Sequence, residues 1–293
     1  MEFLKKKIKF LNQENLSFSF RENDRFGFNN EDKLWNLEKI NSVFIGDSFT
    51  YGADVNYFES FVEFYRKNVE ATINLGCGGN GPIIEYATFV EYVINLNLKP
   101  DYLFWVYYPG NDLTKDLTSE HSSFYANYLK KEFNQNLKSK QTEINKTIKD
   151  FIEAKKKLEN KKNQKSKNTF DYKSLYKFQK IRNLLGFTNA YTKENFTIFN
   201  SIIKQTNNEI KKWNGKLVFI FIPSEKRYTN LTSYYDEHFY NLTIKKFLQK
   251  NKIKFIDFND KLKKHDNPRI FYSSHLNSKG NLLLSNMIIE SLK

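Results

Sequence analysis

One serine, one histidine and two sets of hydrogen-bond donors stand out in a chain of 293 residues. Ser48 closes the triplet Gly46-Asp47-Ser48, directly after the apolar run Val43, Phe44 and Ile45, which reads as a short buried strand. In an α/β sheet, a hydroxyl at the carboxyl end of a strand faces a cleft and is held still by the sheet. Such a hydroxyl is a poor nucleophile until an imidazole within hydrogen-bond reach takes its proton. His275, in the run His275-Leu276-Asn277-Ser278-Lys279-Gly280, is the candidate base, whereas His121, His238 and His265 have no comparable surroundings. Between Asn74 and Pro82 stand four glycines, Gly76, Gly78, Gly79 and Gly81, more than a strand-to-helix connection demands. Such a loop can bring backbone N–H groups up to a developing anion. It is not a phosphate-binding P-loop, because no Gly-Lys-Ser/Thr follows. Asn111, in Pro109-Gly110-Asn111-Asp112, offers a side-chain donor after another apolar run. Each of these pieces alone is also what an ordinary turn looks like.

The elements that must position them follow from periodicity. Strands are predicted over 43–45, 71–75, 101–108, 216–222 and 253–257, the third apolar on both faces as a central parallel strand is. Helical spacing of Phe58, Phe61, Val62, Tyr65 and Val69 predicts a helix over 57–70; Pro82 opens another running to about residue 96. Residues 113–212 lack strand signals and read as a helical insertion: helix over 130–162, a break at 163–168, helix over 175–185, and an amphipathic helix over 191–213. Residues 228–250 look helical in their second half, and 281–292 form a final helix with Ser278 and Gly280 before it. Residues 1–40 are mixed and polar, without a convincing strand or helix before Leu34, and are expected to be an arm packed on the domain of residues 41–293.

Composition excludes several classes. With Cys77 as the only cysteine there is no internal disulfide and no cysteine-based zinc site. The basic start has no apolar stretch after it, and no run of about 18 apolar residues occurs, so a soluble, cytoplasmic protein without a transmembrane segment is expected. The formal charge of +14 is concentrated between Lys130 and Arg182, where 16 Lys and one Arg stand against six acids. Those lysines lack the interleaved aromatics of single-strand readers, so nucleic acid is not the expected partner.

Gly46-Asp47-Ser48, the glycine loop after Asn74, Gly110-Asn111-Asp112 and His275 before the last helix stand in an order that resembles the SGNH hydrolase superfamily, also called the GDSL lipase and esterase family. The resemblance covers most of the chain outside 113–212. It implies a flavodoxin-like three-layer α/β/α sandwich with a five-stranded parallel sheet. It further implies Ser48 as nucleophile, His275 as base, and an oxyanion hole from the Ser48 amide, Gly79 (with Gly78 as second choice) and Asn111. No metal or organic cofactor is required. The family commonly carries an aspartate three residues before the histidine, where this chain has Tyr272. Three outcomes are open: a Ser48–His275 dyad supported by a backbone carbonyl or Ser273, an acid from Asp257, Asp260 or Asp266, or a weakened enzyme; the dyad leads.

The expected activity is hydrolysis of an acyl ester, acetyl first, on a carbohydrate, since the closest look is of bacterial members associated with glycan acylation. The alternatives are an O-acyltransferase using the same site, and a non-catalytic protein holding an acidic glycan or nucleic acid.

Overall fold

The computed structural model describes residues 9–11, 18–20, 23–162 and 192–293. They fall into two compact units, Met1–Asn134 with Tyr191–Lys293, and Gln135–Ala190.

The first unit is built on a five-stranded sheet. Its strands are β3 (Ser42–Ile45), β4 (Thr72–Asn74), β5 (Tyr102–Tyr107), β6 (Lys216–Phe221) and β7 (Lys254–Asp257); β1 (Lys9–Leu11) and β2 (Phe18–Phe20) pair antiparallel before them. The order is β4-β3-β5-β6-β7 and every pairing is parallel. Counted within the sheet this is 2-1-3-4-5, the flavodoxin-like order, with its switch point between β3 and β5. Alternate residues feed two cores. Val43, Ile45, Leu103, Trp105, Phe219 and Phe221 face one layer; Phe44, Phe104, Val106, Val218 and Ile220 face the other. Each strand is thus apolar on both sides because both sides are covered.

Helix α1 (Ser48–Tyr51) follows β3, then α2 (Phe61–Arg66) and α3 (Pro82–Phe89), the last continued by a π-helical turn over Val90–Ile94. After β5 come a π-helical turn over Asp112–Asp116 and α4 (Leu117–His121). Helix α5 (Gln141–Lys162) belongs to the second unit. Helices α6 (Lys193–Lys211), α7 (Leu231–Lys250), α8 (Asn259–Leu262) and α9 (Ser278–Leu292) complete the chain. Ile83 of α3, Phe199 and Ile202 of α6 and Ile244 of α7 pack on one face; Phe61 and Tyr65 of α2 and Leu284 and Ile288 of α9 pack on the other.

Several boundaries differ from expectation. The helix expected over 57–70 is two pieces, a 3-10 turn over Tyr57–Glu59 and then α2, because Asn56 and Ser60 each cap a separate start. Phe58 falls outside the packed face and is 58% exposed. Helix α7 is continuous from Leu231, and α9 begins at Ser278 because the Asn277 side chain accepts from the Gly280 N–H. Of the expected insertion, 113–134 and α6 belong to the sheet-bearing unit, and the separate unit spans only Gln135–Ala190. The break expected at 163–168 and the helix expected over 175–185 lie outside the described residues.

The stretch before β3 holds a paired strand that its composition did not signal, and it is tied to the sheet end. Asn30 Nδ2 donates to the Asn74 carbonyl at 2.8 Å, the Asn74 N–H donates to Asn30 Oδ1 at 2.8 Å, and Asn29 Nδ2 donates to the Tyr51 carbonyl at 2.8 Å. All three groups lie at the carboxyl edge, where the candidate residues gather.

Candidate active site

Ser48 starts α1 directly beyond β3. The Asp47 side chain caps that single turn, accepting the Phe49 N–H at 2.9 Å, and Gly52, in the left-handed region at φ +79°, ends it. The second strand-end loop lies against this turn. A Cβ on Gly76 would stand 2.4 Å from the Tyr51 nitrogen, so only glycine allows the two loops to touch. Asn74, fully buried, fixes the contact: its Nδ2 donates to the Thr50 carbonyl at 2.8 Å, and its Oδ1 accepts the Gly76 N–H at 2.8 Å. Asn74→Ala orphans both groups, each at about 1–3 kcal/mol. A corresponding loss of unfolding free energy is expected in a urea titration.

His275 sits on the loop between a 3-10 turn over Pro268–Phe271 and α9. This loop is a tight reversal, with a bridge between Tyr272 and Leu276 and the Ser273 N–H donating to the His275 carbonyl at 2.8 Å. Asn281 ties it down, donating to the Leu276 carbonyl at 2.7 Å and accepting the Phe61 N–H at 2.9 Å. The reversal brings the imidazole against the Phe49 ring and over Ser48, with Nε2 2.9 Å from Ser48 Oγ.

The other ring nitrogen, Nδ1, is 2.8 Å from Oδ2 of Asp54. Asp54 also accepts a short hydrogen bond from the Ser274 hydroxyl. The hydrogen bond from His275 holds its carboxyl well down, to about 2, against the opposing effect of partial burial. The residues considered for this place do not occupy it. Asp266 is exposed, and the Ser273 contact with His275 runs through its backbone N–H. Asp257 accepts from Asn241 and the Asn259 N–H, and Asp260 pairs with Lys263. Tyr272 is buried, its hydroxyl donating to the Pro223 carbonyl at 2.8 Å, so position 272 faces away from the ring.

Asp54 was missed because it lies close to Ser48 in sequence, six residues on. The chain doubles back there: the Ala53 N–H donates to the Ser48 carbonyl at 2.9 Å, and Asp54 itself takes φ +66°, a conformation aspartate tolerates better than most residues. The one available signal was Gly52, a helix-stopping glycine two residues before an acid.

The N–H groups of Ser48, Gly78 and Gly79 have no backbone acceptor among the described residues. A Cβ on Gly78 would be 3.9 Å from Ser48 Cβ, while Gly79 is left-handed at φ +83° with open space where a side chain would go. Gly78 thus lies beside Ser48. Asn111 stands beyond β5, the neighbour of β3; its Nδ2 makes a short hydrogen bond to Asp116, and its Oδ1 has no partner among the described residues. The far end of the glycine loop is held by Glu120, whose carboxylate accepts the N–H groups of Gly81 at 2.6 Å and Ile83 at 2.9 Å.

Beneath these turns lies a group of enclosed acids. Burial pushes Asp47 up to about 6 and Glu120 up to about 7, and it drives Glu85 and Asp112 well above the usual carboxylate range, with repulsion from Asp112 at Glu85 and from Asp47 at Asp112 adding to it. Unfolded, these acids lose their protons near pH 4, so between there and neutrality the folded chain binds more protons than the unfolded one. Stability therefore falls as pH rises through this window, and Tm is expected to be lower at pH 8 than at pH 5 in thermal melts. Asp54 acts outside it: its contribution is complete above the ordinary carboxylate value and is lost only as pH falls through about 2.

Among the described residues no group of three or more His, Cys, Asp or Glu side chains is arranged to hold a metal ion, and no helix is long and apolar enough to cross a membrane.

Neither a protein-family model nor a curated protein matches the chain. In structure it is similar to the lipase/acylhydrolase from Enterococcus faecalis, at 13% identity and a TM-score of 0.49, over 86% of this chain and 95% of that one. It is also similar to an acetylxylan esterase from Geobacillus stearothermophilus, at 13% identity and a TM-score of 0.46, over 86% and 94%. A member of the lipolytic protein G-D-S-L family from Veillonella parvula is similar at 16% identity and a TM-score of 0.42, over 86% and 97%. Identities this low leave the roles of individual residues to the geometry of this chain.

Proposed function

We propose that the protein is a serine ester hydrolase of the SGNH type. The observation that carries the reading is the unbroken hydrogen-bonded chain from Asp54 through His275 to Ser48 at the carboxyl edge of the sheet. Ser48 Oγ attacks the ester carbonyl while its proton passes to Nε2 of His275; Asp54 keeps the other proton on Nδ1 and steadies the imidazolium that forms. The N–H of Ser48, one glycine N–H from the loop (Gly79 or Gly78) and the Asn111 carboxamide receive the negative oxygen of the tetrahedral intermediate. His275 then gives its proton to the leaving alcohol. Water, deprotonated by the same imidazole, releases the acid and frees Ser48.

The proposed substrate is a small acyl ester, acetyl first, on a carbohydrate hydroxyl; the order of the four motifs, similar to that of family members associated with glycan acylation, supports this. An O-acyltransferase would use the same groups with a sugar hydroxyl in place of water. The non-catalytic alternative drew on a missing orienting acid together with the basic insertion, and the contact of Asp54 with His275 speaks against the first of these.

The test is turnover of p-nitrophenyl acetate and of a peracetylated sugar, with free acetate and acetyl transfer to added oligosaccharide measured side by side. Acetate release is expected to dominate. Transfer exceeding release would favour the acyltransferase. Failure to turn over any short-chain ester, together with salt-sensitive glycan or nucleic-acid binding that survives Ser48→Ala, would overturn the enzyme.

A further inference from the structure

Asn111 is the one proposed oxyanion donor that is a side chain, so its usefulness depends on which way its carboxamide is turned. A carboxamide on a free turn would sample several rotations and spend only part of its time presenting nitrogen. Here the residue that follows by five, Asp116, accepts from Nδ2. Its own position is set by backbone contacts on both sides. The Asp116 N–H donates to the Asn111 carbonyl at 3.1 Å, closing the π-helical turn, and a Cβ on Gly81 would lie 2.6 Å from Asp116 Cβ, so the root of the Asp116 side chain is packed against the glycine loop. One helical step on, Glu120 holds Gly81, Ile83 and Ile84 of that loop. The loop's start is held by Asn74.

We propose that Asp116 is a positioning residue for the oxyanion pocket: by accepting one hydrogen of Asn111 Nδ2 it fixes the carboxamide so that the second hydrogen is presented to the reacting oxygen. This rests on the esterase reading above. An ionised carboxylate can only accept, so it selects nitrogen over oxygen at that side of Asn111.

The experiment is a double-mutant cycle of Asp116→Ala and Asn111→Ala on p-nitrophenyl acetate hydrolysis, with Asp116→Asn as the conservative variant and Tm recorded for each. Asp116→Ala is expected to lower kcat about 10- to 100-fold with KM changed less than about twofold, and to cost less than about threefold in the Asn111→Ala background. Asp116→Asn, which keeps an acceptor oxygen but can also turn its NH2 towards Asn111 and so loses the selection, is expected to fall between Asp116→Ala and wild type in kcat. A kcat unchanged or raised by Asp116→Ala, or losses that simply multiply in the double variant, would overturn the proposal. A readout independent of turnover separates this failure from that of the esterase reading. In a 15N-resolved spectrum the two Asn111 side-chain protons are expected to be well separated in the wild type and to converge in Asp116→Ala, with Asp116→Asn between them; equal separation in all three would sink the positioning role whether or not any ester is hydrolysed.

Discussion

Ser48→Ala is expected to abolish ester turnover, with kcat falling about 10⁶-fold, as removal of a nucleophile that works as a unit with its base does. His275→Ala should cost about the same, and the double variant little more, because once either member is gone the other has nothing to act on. Binding should survive, since neither substitution touches the Asn74 and Glu120 contacts that hold the glycine loop. Ser48 is only partly buried and its hydroxyl has no packing role, so Tm should be close to the wild type. Assays on p-nitrophenyl acetate with purified variants check this. Three proteins with equal rates would mean that any hydrolysis arises elsewhere.

Asp54→Asn carries the second large effect, a fall in kcat of about 10⁴-fold with the fold intact. The carboxamide is the same size, but it can present a donor to Nδ1, which favours the imidazole tautomer with its proton on Nε2, where it cannot accept from Ser48. Ser273→Ala and Asp266→Ala serve as the comparison. Neither side chain contacts the ring, and both variants should keep kcat within about twofold of wild type. Because the hydrogen bond from His275 holds Asp54 down to about 2, its protonation is not expected to shape kcat/KM between pH 8 and pH 4. If Asp54→Asn turns over normally while either comparison variant fails, the acid has been assigned to the wrong residue.

The difference between Asp54 and the other site residues shows what a sequence makes visible. Gly46, Ser48 and Asn111 sit at strand ends, and strands as apolar as Val43 to Ile45 or Leu103 to Tyr107 announce where they stop; the parallel sheet then places every such stop on one edge. His275 was legible because it precedes a helix whose apolar residues, Leu284 and Ile288, had to return to the sheet. Asp54 depends on none of this. It reaches the imidazole because a four-residue helix ends at Gly52 and two left-handed residues, Gly52 and Asp54, with Ala53 between them, fold the chain back over its start. Nothing periodic marks such a reversal. The first half of α7 was obscure for a different reason. Leu231, Tyr235 and Phe239 are apolar yet exposed, so the segment lacks the contrast between faces by which a helix is read. Asn56 and Ser60, two capping residues four apart, were the overlooked sign that the 57–70 segment starts twice.

The central claim is that an acyl group passes through Ser48. Mixing the enzyme with a molar excess of p-nitrophenyl acetate, quenching in acid within the first turnovers and measuring the intact mass and the proteolytic peptides tests it directly. The account predicts a fraction of protein heavier by one acetyl group, with that group mapped to Ser48, a larger fraction in Asp54→Asn if deacylation slows more than acylation, and none in Ser48→Ala. An acetyl group that maps to another residue and persists in Ser48→Ala, while turnover continues, would contradict it.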